Sequence, residues 1–348
     1  MADLTAALRA ALEPVRPGEG EPAVLIAADL NYDYIYECPA LEGGREVLVR
    51  AWSRELAGAG GIVACGLARL GAEVHLLAEL GEDADGRELF EEIARRGVRR
   101  EGVRRRAGAR SAFSLIFADE ASGRPRQVAT WQGPALEFSL RPAEYLPLLE
   151  RCALAYSCNY FLLPRLAAGV PELFRQARLR GLATAYDANA GDGWEEPARL
   201  ELLREGIYPA TDLIFLNQDE AAHLTGQADP RAAAQAVRPE QATVVVKRGE
   251  QGALIRDRGR IIEVEAFPLP GPLRDTVGAG DSFQAAFLYF LLRGRPVTHC
   301  AALASANAAS SVLAPGGTAG QLDRGGLAAF LGGCRVLEEG DRVLVRRA

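Results

Sequence analysis

The sequence predicts an α/β protein, with a mostly parallel sheet covered by helices on both faces. Two observations point there. Short apolar runs of strand length alternate with stretches of helical periodicity, most clearly in the second half of the 348 residues. Gly, Pro and Asn punctuate the boundaries between them. Ligands bind such sheets beyond the carboxyl ends of their strands.

In chain order, "MADLTAALRAALEPVRPGEGEP" reads as a short amphipathic helix followed by a Pro/Gly linker, not as a signal peptide. "AVLIAADL" (23–30) is a buried strand, and "REVLVRAWSREL" (45–56) suits an exposed strand or strand pair. "GGIVACGLARLG" is a helix stopped by Gly71, "EVHLLAELG" a strand, and "DGRELFEEIARRGV" an amphipathic helix closed at Gly97. "AFSLIFADEASGRPRQVATW" reads as two strands around a Gly-Arg-Pro turn. Then come strand "CALAYSC", helix "VPELFRQARLRG", strand "ATAYDAN", helix "PARLELLREGIYPA", strand "DLIFLN" and helix "QDEAAHLTG". Strand "ATVVVKRG" leads into a hairpin of "GALIRD" and "RIIEVEAF", and two helices follow over 281–293 and about 299–313. "DRVLVRR" reads as a terminal strand.

Composition bounds the function. Hydrophobic residues make up 49% and charged residues 25%, close to an ordinary soluble protein with a sizeable core. A formal net charge of −6 without a long basic run argues against nucleic-acid binding. No apolar run approaches the ~20 residues of a membrane span. Six scattered cysteines, no C-x-x-C and three histidines argue against a structural zinc site or a disulfide framework. The expectation is a soluble, cytoplasmic protein acting on a small molecule.

Five stretches carry candidate chemistry. In "DTVGAGDSFQAAF" (275–287), Gly278, Ala279 and Gly280 can turn successive N–H groups into one anion nest at a helix start. Asp281 beside it can take a proton from an attacking hydroxyl, or it can simply cap the helix. In "FLNQDEAAHLTG", Asn217 and Glu220 can hold waters on Mg2+, although N-x-x-E is equally a capping pattern. In "VVVKRGEQGAL", Lys247 can meet a nucleotide phosphate, with Gly249 and Gly252 letting backbone approach it; a Gly turn with a solvated Lys explains the same residues. Asn31 and Asp33 in "AADLNYDYIYE" suit sugar hydroxyls or a polar turn. Asp187 and Asn189 in "YDANAGDG" suit substrate or an Asx turn.

Taken in order, residues 27–33, 58–71, 187–189, 217–220, 247–252 and 275–281 resemble the ribokinase-like (PfkB) sugar kinase family. Asp275-Thr276-x-Gly278-Ala279-Gly280-Asp281-x-Phe283 is similar to that family's D-T-x-G-A-G-D-x-F motif at every fixed position. The resemblance covers about residues 22–318, leaving 1–21 as an N-terminal extension and 319–348 as a C-terminal extension of the same domain. It implies a three-layer α/β/α ribokinase-like fold with a small β-sheet lid drawn from about 34–57 and 110–131.

It also implies ATP and Mg2+, Asp281 as general base, and the Gly278–Gly280 backbone as an anion hole. Lys247, Gly249, Gly252, Thr276 and Asn307 would face the nucleotide, with Asn307 near the adenine. Asn31, Asp33, Gly60, Gly61, Asp187 and Asp281 would face the acceptor, a sugar, a sugar acid or a nucleoside. Asn217 and Glu220 would organise Mg2+ through water. A monovalent cation near the nest and a homodimer through the lid edges are further expectations.

Two positions depart from the family pattern. Ile62 stands where an Asn usually touches sugar, and Gly191 stands where a basic residue is common; Arg124, Arg126 and Arg165 are the candidate replacements. Two other readings compete. A non-catalytic regulatory member would fit those departures, but retention of both Asp275 and Asp281 counts against it. A dinucleotide-dependent oxidoreductase would use Gly58-x-Gly60 and Glu79, but Val63 stands where the third glycine belongs and the preceding strand is poor.

Overall fold

A computed structural model of the chain describes residues 2–13, 20–41, 44, 46–118, 126–189 and 196–347. Its strands are β1 (Ala2–Asp3), β2 (Ala23–Ala27), β3 (Asn31–Glu37), β4 (Ala51–Ala57), β5 (Glu73–Gly81), β6 (Val98–Arg106), β7 (Phe113–Ala118), β8 (Gln127–Trp131), β9 (Leu154–Cys158), β10 (Ala183–Asp187), β11 (Leu213–Asn217), β12 (Thr243–Lys247), β13 (Ala253–Asp257), β14 (Arg260–Val264), β15 (Cys334–Glu339) and β16 (Arg342–Arg347).

Twelve of them form one sheet in the order β1-β15-β16-β14-β13-β12-β11-β10-β9-β2-β5-β6. From β6 to β12 every pairing is parallel. The strands inside β6 are almost wholly buried because helices cover both faces. Two clusters of buried side chains result. Helices Ala59–Leu70, Ala279–Leu292 and Val297–Ser311 pack on one face, and Pro164–Leu179 packs on the other.

The remaining four strands form a separate small sheet, β4-β3-β7-β8. Asn31 and Asp33 therefore do not extend β2. They open β3, a strand of the small sheet, and both are buried on the same side of it.

Several elements differ from the sequence reading. Residues 197–210 do not form one helix; the segment passes from a short α-turn (Pro197–Glu201) through a π-turn (Leu202–Ile207) to a 3-10 turn (Tyr208–Ala210). Pro209 interrupts any continuous ladder of N–H donors there. β6, "VRREGVRRR", was missed because it is the charged outer strand of the sheet, and its Arg-rich sequence hides the buried Val98 and Val103. The strand before Gly58 is β4, which pairs antiparallel with β3. That removes the dinucleotide fingerprint, which needs a buried parallel strand there.

Candidate active site

The carboxyl ends of β2, β9, β10, β11 and β12 lie side by side, and helix 279–292 begins against them. Register places Asp187 beside Cys158 and Phe215, and Asn217 beside Lys247. The polar residues that end these buried strands are thus gathered into one place.

The nest forms as a left-handed Gly turn into a helix. Gly278 has φ +69° and precedes the helix, and Ser282 N–H donates to its carbonyl at 2.8 Å. Asp275 ties the turn together: Oδ1 accepts from Val277 N at 2.9 Å and Oδ2 from Gly316 N at 2.9 Å. Thr276 is exposed, and its carbonyl meets Ala279 N at 3.4 Å. A Cβ on Gly278 would lie 2.5 Å from Gly317 Cα, so the position is fixed by space as well as by torsion. Ile62 is buried against the same turn; its Cδ1 would lie 3.1 Å from that Cβ. Ile62 thus gives the turn an apolar support.

Asp281, in the helix's first turn, is half-buried. Burial pushes its carboxyl up to about 7; Lys247 pulls it down, while Asp187, Asp29 and Glu220 push it further up. Glu220 is buried and is likewise pushed up to about 7, first by burial and then by Asp187. The 217–220 pair forms a full capping box, with Glu220 N to Asn217 Oδ1 at 2.8 Å and Asn217 N to Glu220 Oε2 at 2.7 Å. Glu220 Oε1 accepts no hydrogen bond among the described residues. An acidic oxygen left in this way fits an Mg2+ held through water.

Three of the expected ligand contacts have internal partners. Asp187 is fully buried and is committed internally: its Oδ2 takes Lys247 Nζ at 2.6 Å and the Gln284 side-chain amide, and Oδ1 takes Asn189 N at 3.0 Å. No surface remains on it for substrate. Lys247 is drawn inward by that pairing. Asn307 is also fully buried, donating to Ser282 O at 2.8 Å and accepting from Leu322 N at 2.9 Å. Its amide joins two segments of the fold and has no free face for an adenine. Gly249 and Gly252 close the turn between β12 and β13, with Arg248 N to Gly252 O at 2.8 Å.

On the other side, Asn31 Nδ2 donates to Asp33 Oδ1 at 3.0 Å. Burial pushes Asp33 up to about 6, offset by hydrogen bonds from Ser114 and Asn31. Two residues were missed. Asp29 Oδ1 accepts from Gly60 N at 3.0 Å, supplying from outside the cap that helix 59–70 lacks in its own sequence. Asn159 follows β9 with φ +62° and donates to Asp29. Both stand just past a buried strand, where polar residues of such a sheet face the site; that rule, applied to "AAD" and "SCN", was the available signal. Gly60 and Gly61 serve close packing, since a Cβ on Gly60 would lie 2.0 Å from that of Ala28 and one on Gly61 2.8 Å from Leu30 Cδ1. Of the candidate arginines, Arg126 approaches Asp275 at 3.6 Å and Arg165 pairs with Glu137 at 2.8 Å. Arg124 and Gly191 lie outside the described residues.

An anion nest at a helix start, with a carboxylate in the helix's first turn, suits the transfer of a phosphoryl group to an alcohol. The family model described as "pfkB family carbohydrate kinase" matches residues 23–324, and the chain belongs to that family. A 2-dehydro-3-deoxygalactonokinase of Haloferax volcanii is 32% identical over 274 residues, covering 77% of this chain and 85% of that protein. The fold matches an Arabidopsis thaliana ribokinase solved with ribose and ATP (TM-score 0.77, 21% identity, 90% of this chain and 99% of that one). It also matches an Escherichia coli structure described as "a putative Ribokinase II in complex with ATP and Mg+2" (TM-score 0.77, 19% identity, 89% and 99%).

Proposed function

We propose that the protein transfers the γ-phosphoryl group of ATP to a hydroxyl of a sugar or sugar acid. The observation that carries this is the Gly278–Asp281 turn, with its N–H groups at a helix start and Asp281 in that helix's first turn. Asp281 takes the hydroxyl proton as the hydroxyl attacks phosphorus, and the backbone of Gly278, Ala279 and Gly280 stabilises charge on the phosphoryl oxygens. Asn31 and Asp33 orient the acceptor, and Gly249, Gly252 and Thr276 border the nucleotide. Asn217 and Glu220 would hold Mg2+ through water, and the ion would offset phosphate charge. The small sheet closes over the acceptor and excludes water. A nucleoside is the alternative acceptor on the same machinery, and a monovalent cation beside the nest belongs to the same reading.

A screen for ADP production with MgATP against sugars, sugar acids and nucleosides tests this. We expect turnover on at least one sugar or sugar acid; turnover on nucleosides alone would move the reading to the alternative. A base must be ionised to act, so kcat/KM should fall as pH drops below about 7 and level off above it, following Asp281. A profile flat from pH 5.5 to 8.5 would contradict the base assignment.

We further propose a homodimer through the small sheet. Leu48, Trp52, Val128 and Trp131 are 79%, 63%, 53% and 54% exposed on or beside it. Sedimentation should give a dimer that Trp52→Glu with Trp131→Glu converts to monomer; a monomeric parent protein would end this proposal. No helix among the described residues is long and apolar enough to cross a membrane. The six cysteines are free thiols, which suits the reducing cytoplasm we assign.

A further inference from the structure

Lys247 ends β12, and its ammonium is spoken for. Nζ lies 2.6 Å from Oδ2 of Asp187, with the lysine side chain 16% exposed and the carboxylate wholly enclosed. The same carboxylate oxygen receives the side-chain amide of Gln284, whose Oε1 accepts from Tyr156 O–H at 2.7 Å. Gln284 follows Asp281 by three residues on the same helix. One carboxylate thus links β12, β10 and the helix that carries the nest, and Gln284 extends the link to β9. The ammonium also lies against the nest: a Cβ on Gly280 would sit 3.2 Å from Nζ.

Charge completes the picture. Asp187, Glu220 and Asp281 gather around one cation, Lys247. A buried carboxylate that loses its partner is strongly destabilised. A lysine anchored in this way is not free to follow a nucleotide phosphate.

We propose that Lys247 is a positioning residue for phosphoryl transfer, an internal counter-cation that holds Asp281 and the first turn of helix 279–292 through Asp187 and Gln284, and not a nucleotide ligand. The proposal rests on the kinase reading above. Displacing the reacting groups by about 1 Å can cost on the order of 100-fold in rate, so turnover and not nucleotide affinity should register the loss of Lys247.

The experiment compares Lys247→Met, Lys247→Ala and the double variant Lys247→Met/Asp187→Asn with the parent protein. With the acceptor that the parent phosphorylates, Lys247→Met should lose about 100-fold in kcat while KM for MgATP stays within about threefold. MgADP affinity by calorimetry should also stay within about threefold. Methylammonium should restore part of the turnover of Lys247→Ala in a saturable way, a response that a general loss of packing would not give. The double variant, relieved of an unpaired buried charge, should melt closer to the parent than Lys247→Met does. If Lys247→Met does not fold, the double variant supplies the kcat and MgADP readings.

A tenfold or greater loss of MgADP affinity with kcat retained would make Lys247 a nucleotide ligand and overturn the proposal, as would unchanged kcat in a folded variant. If the parent phosphorylates nothing in the screen, the kinase reading fails by itself. MgADP affinity and the melting comparison then still decide whether Lys247 serves the nucleotide or the interior.

Discussion

Replacing Asp281 with Asn should lower turnover by about 10²–10⁴-fold while leaving MgADP affinity and the fold intact, because a general base contributes on that scale. Asn keeps the size and a hydrogen-bonding oxygen but cannot accept the proton. Near-parental turnover in single-turnover measurements would remove Asp281 from the chemistry. Stability should move the other way. Folding raises the Asp281 pKa to about 7, so its contribution to stability is full below the unfolded value of 3.8 and is lost as pH rises through about 7. The Asn variant does not ionise. It should therefore melt several degrees above the parent at pH 8, and the gap should close as pH falls toward 4. Opposite changes in activity and stability would mark a carboxylate placed where the reaction, not the fold, needs it.

Gly278→Ala should be the most damaging single methyl in the site. The left-handed torsion alone costs about 1–2 kcal/mol for a residue with a Cβ. The added carbon would also meet Gly317 Cα at 2.5 Å, and that neighbour is backbone, not a side chain that can swing aside. Either the 315–318 loop or the helix start must shift. We expect a melting temperature several degrees lower and at least a 100-fold loss of kcat, since the N–H groups of the nest would no longer converge. Gly294→Ala has a similar torsion, φ +68°, but open space around it, and serves as the control for torsion alone. Equal losses in the two variants would mean that crowding at Gly317 has no part in the effect.

The sequence and the structure agree best where one residue type has one physical use. Gly71 and Gly97 end helices with φ +114° and +85°, and a reader of glycine alone finds both. The glycines before Asp281 marked a helix start, and a helix does begin at Ala279. Asn217 and Glu220 were legible as a capping box, which formed in full. Lys247, Asp187 and Asn307 were read as ligand contacts because a polar residue at a strand end or in a helix looks the same from the sequence whether it faces outward or inward. The difference lies in partners 60 and 97 residues away for Asp187, and 25 and 15 away for Asn307, which no local pattern records. Asp29 was overlooked for the converse reason: it caps a helix that starts 30 residues later, so no capping pattern appears around it.

The sheet also orders events in time. β1 pairs with β15, and Arg335 reaches Asp3 across 332 positions of sequence. Leu4, Leu8 and Leu12 are buried beside that pair, with Leu4 N–H donating to Val336 O at 2.8 Å. During synthesis, residues 2–13 are made well before their seat, residues 334–339. That segment must wait, with three leucines uncovered, until residues 334–339 have emerged. The β15 edge stays open to other strands until the two dock.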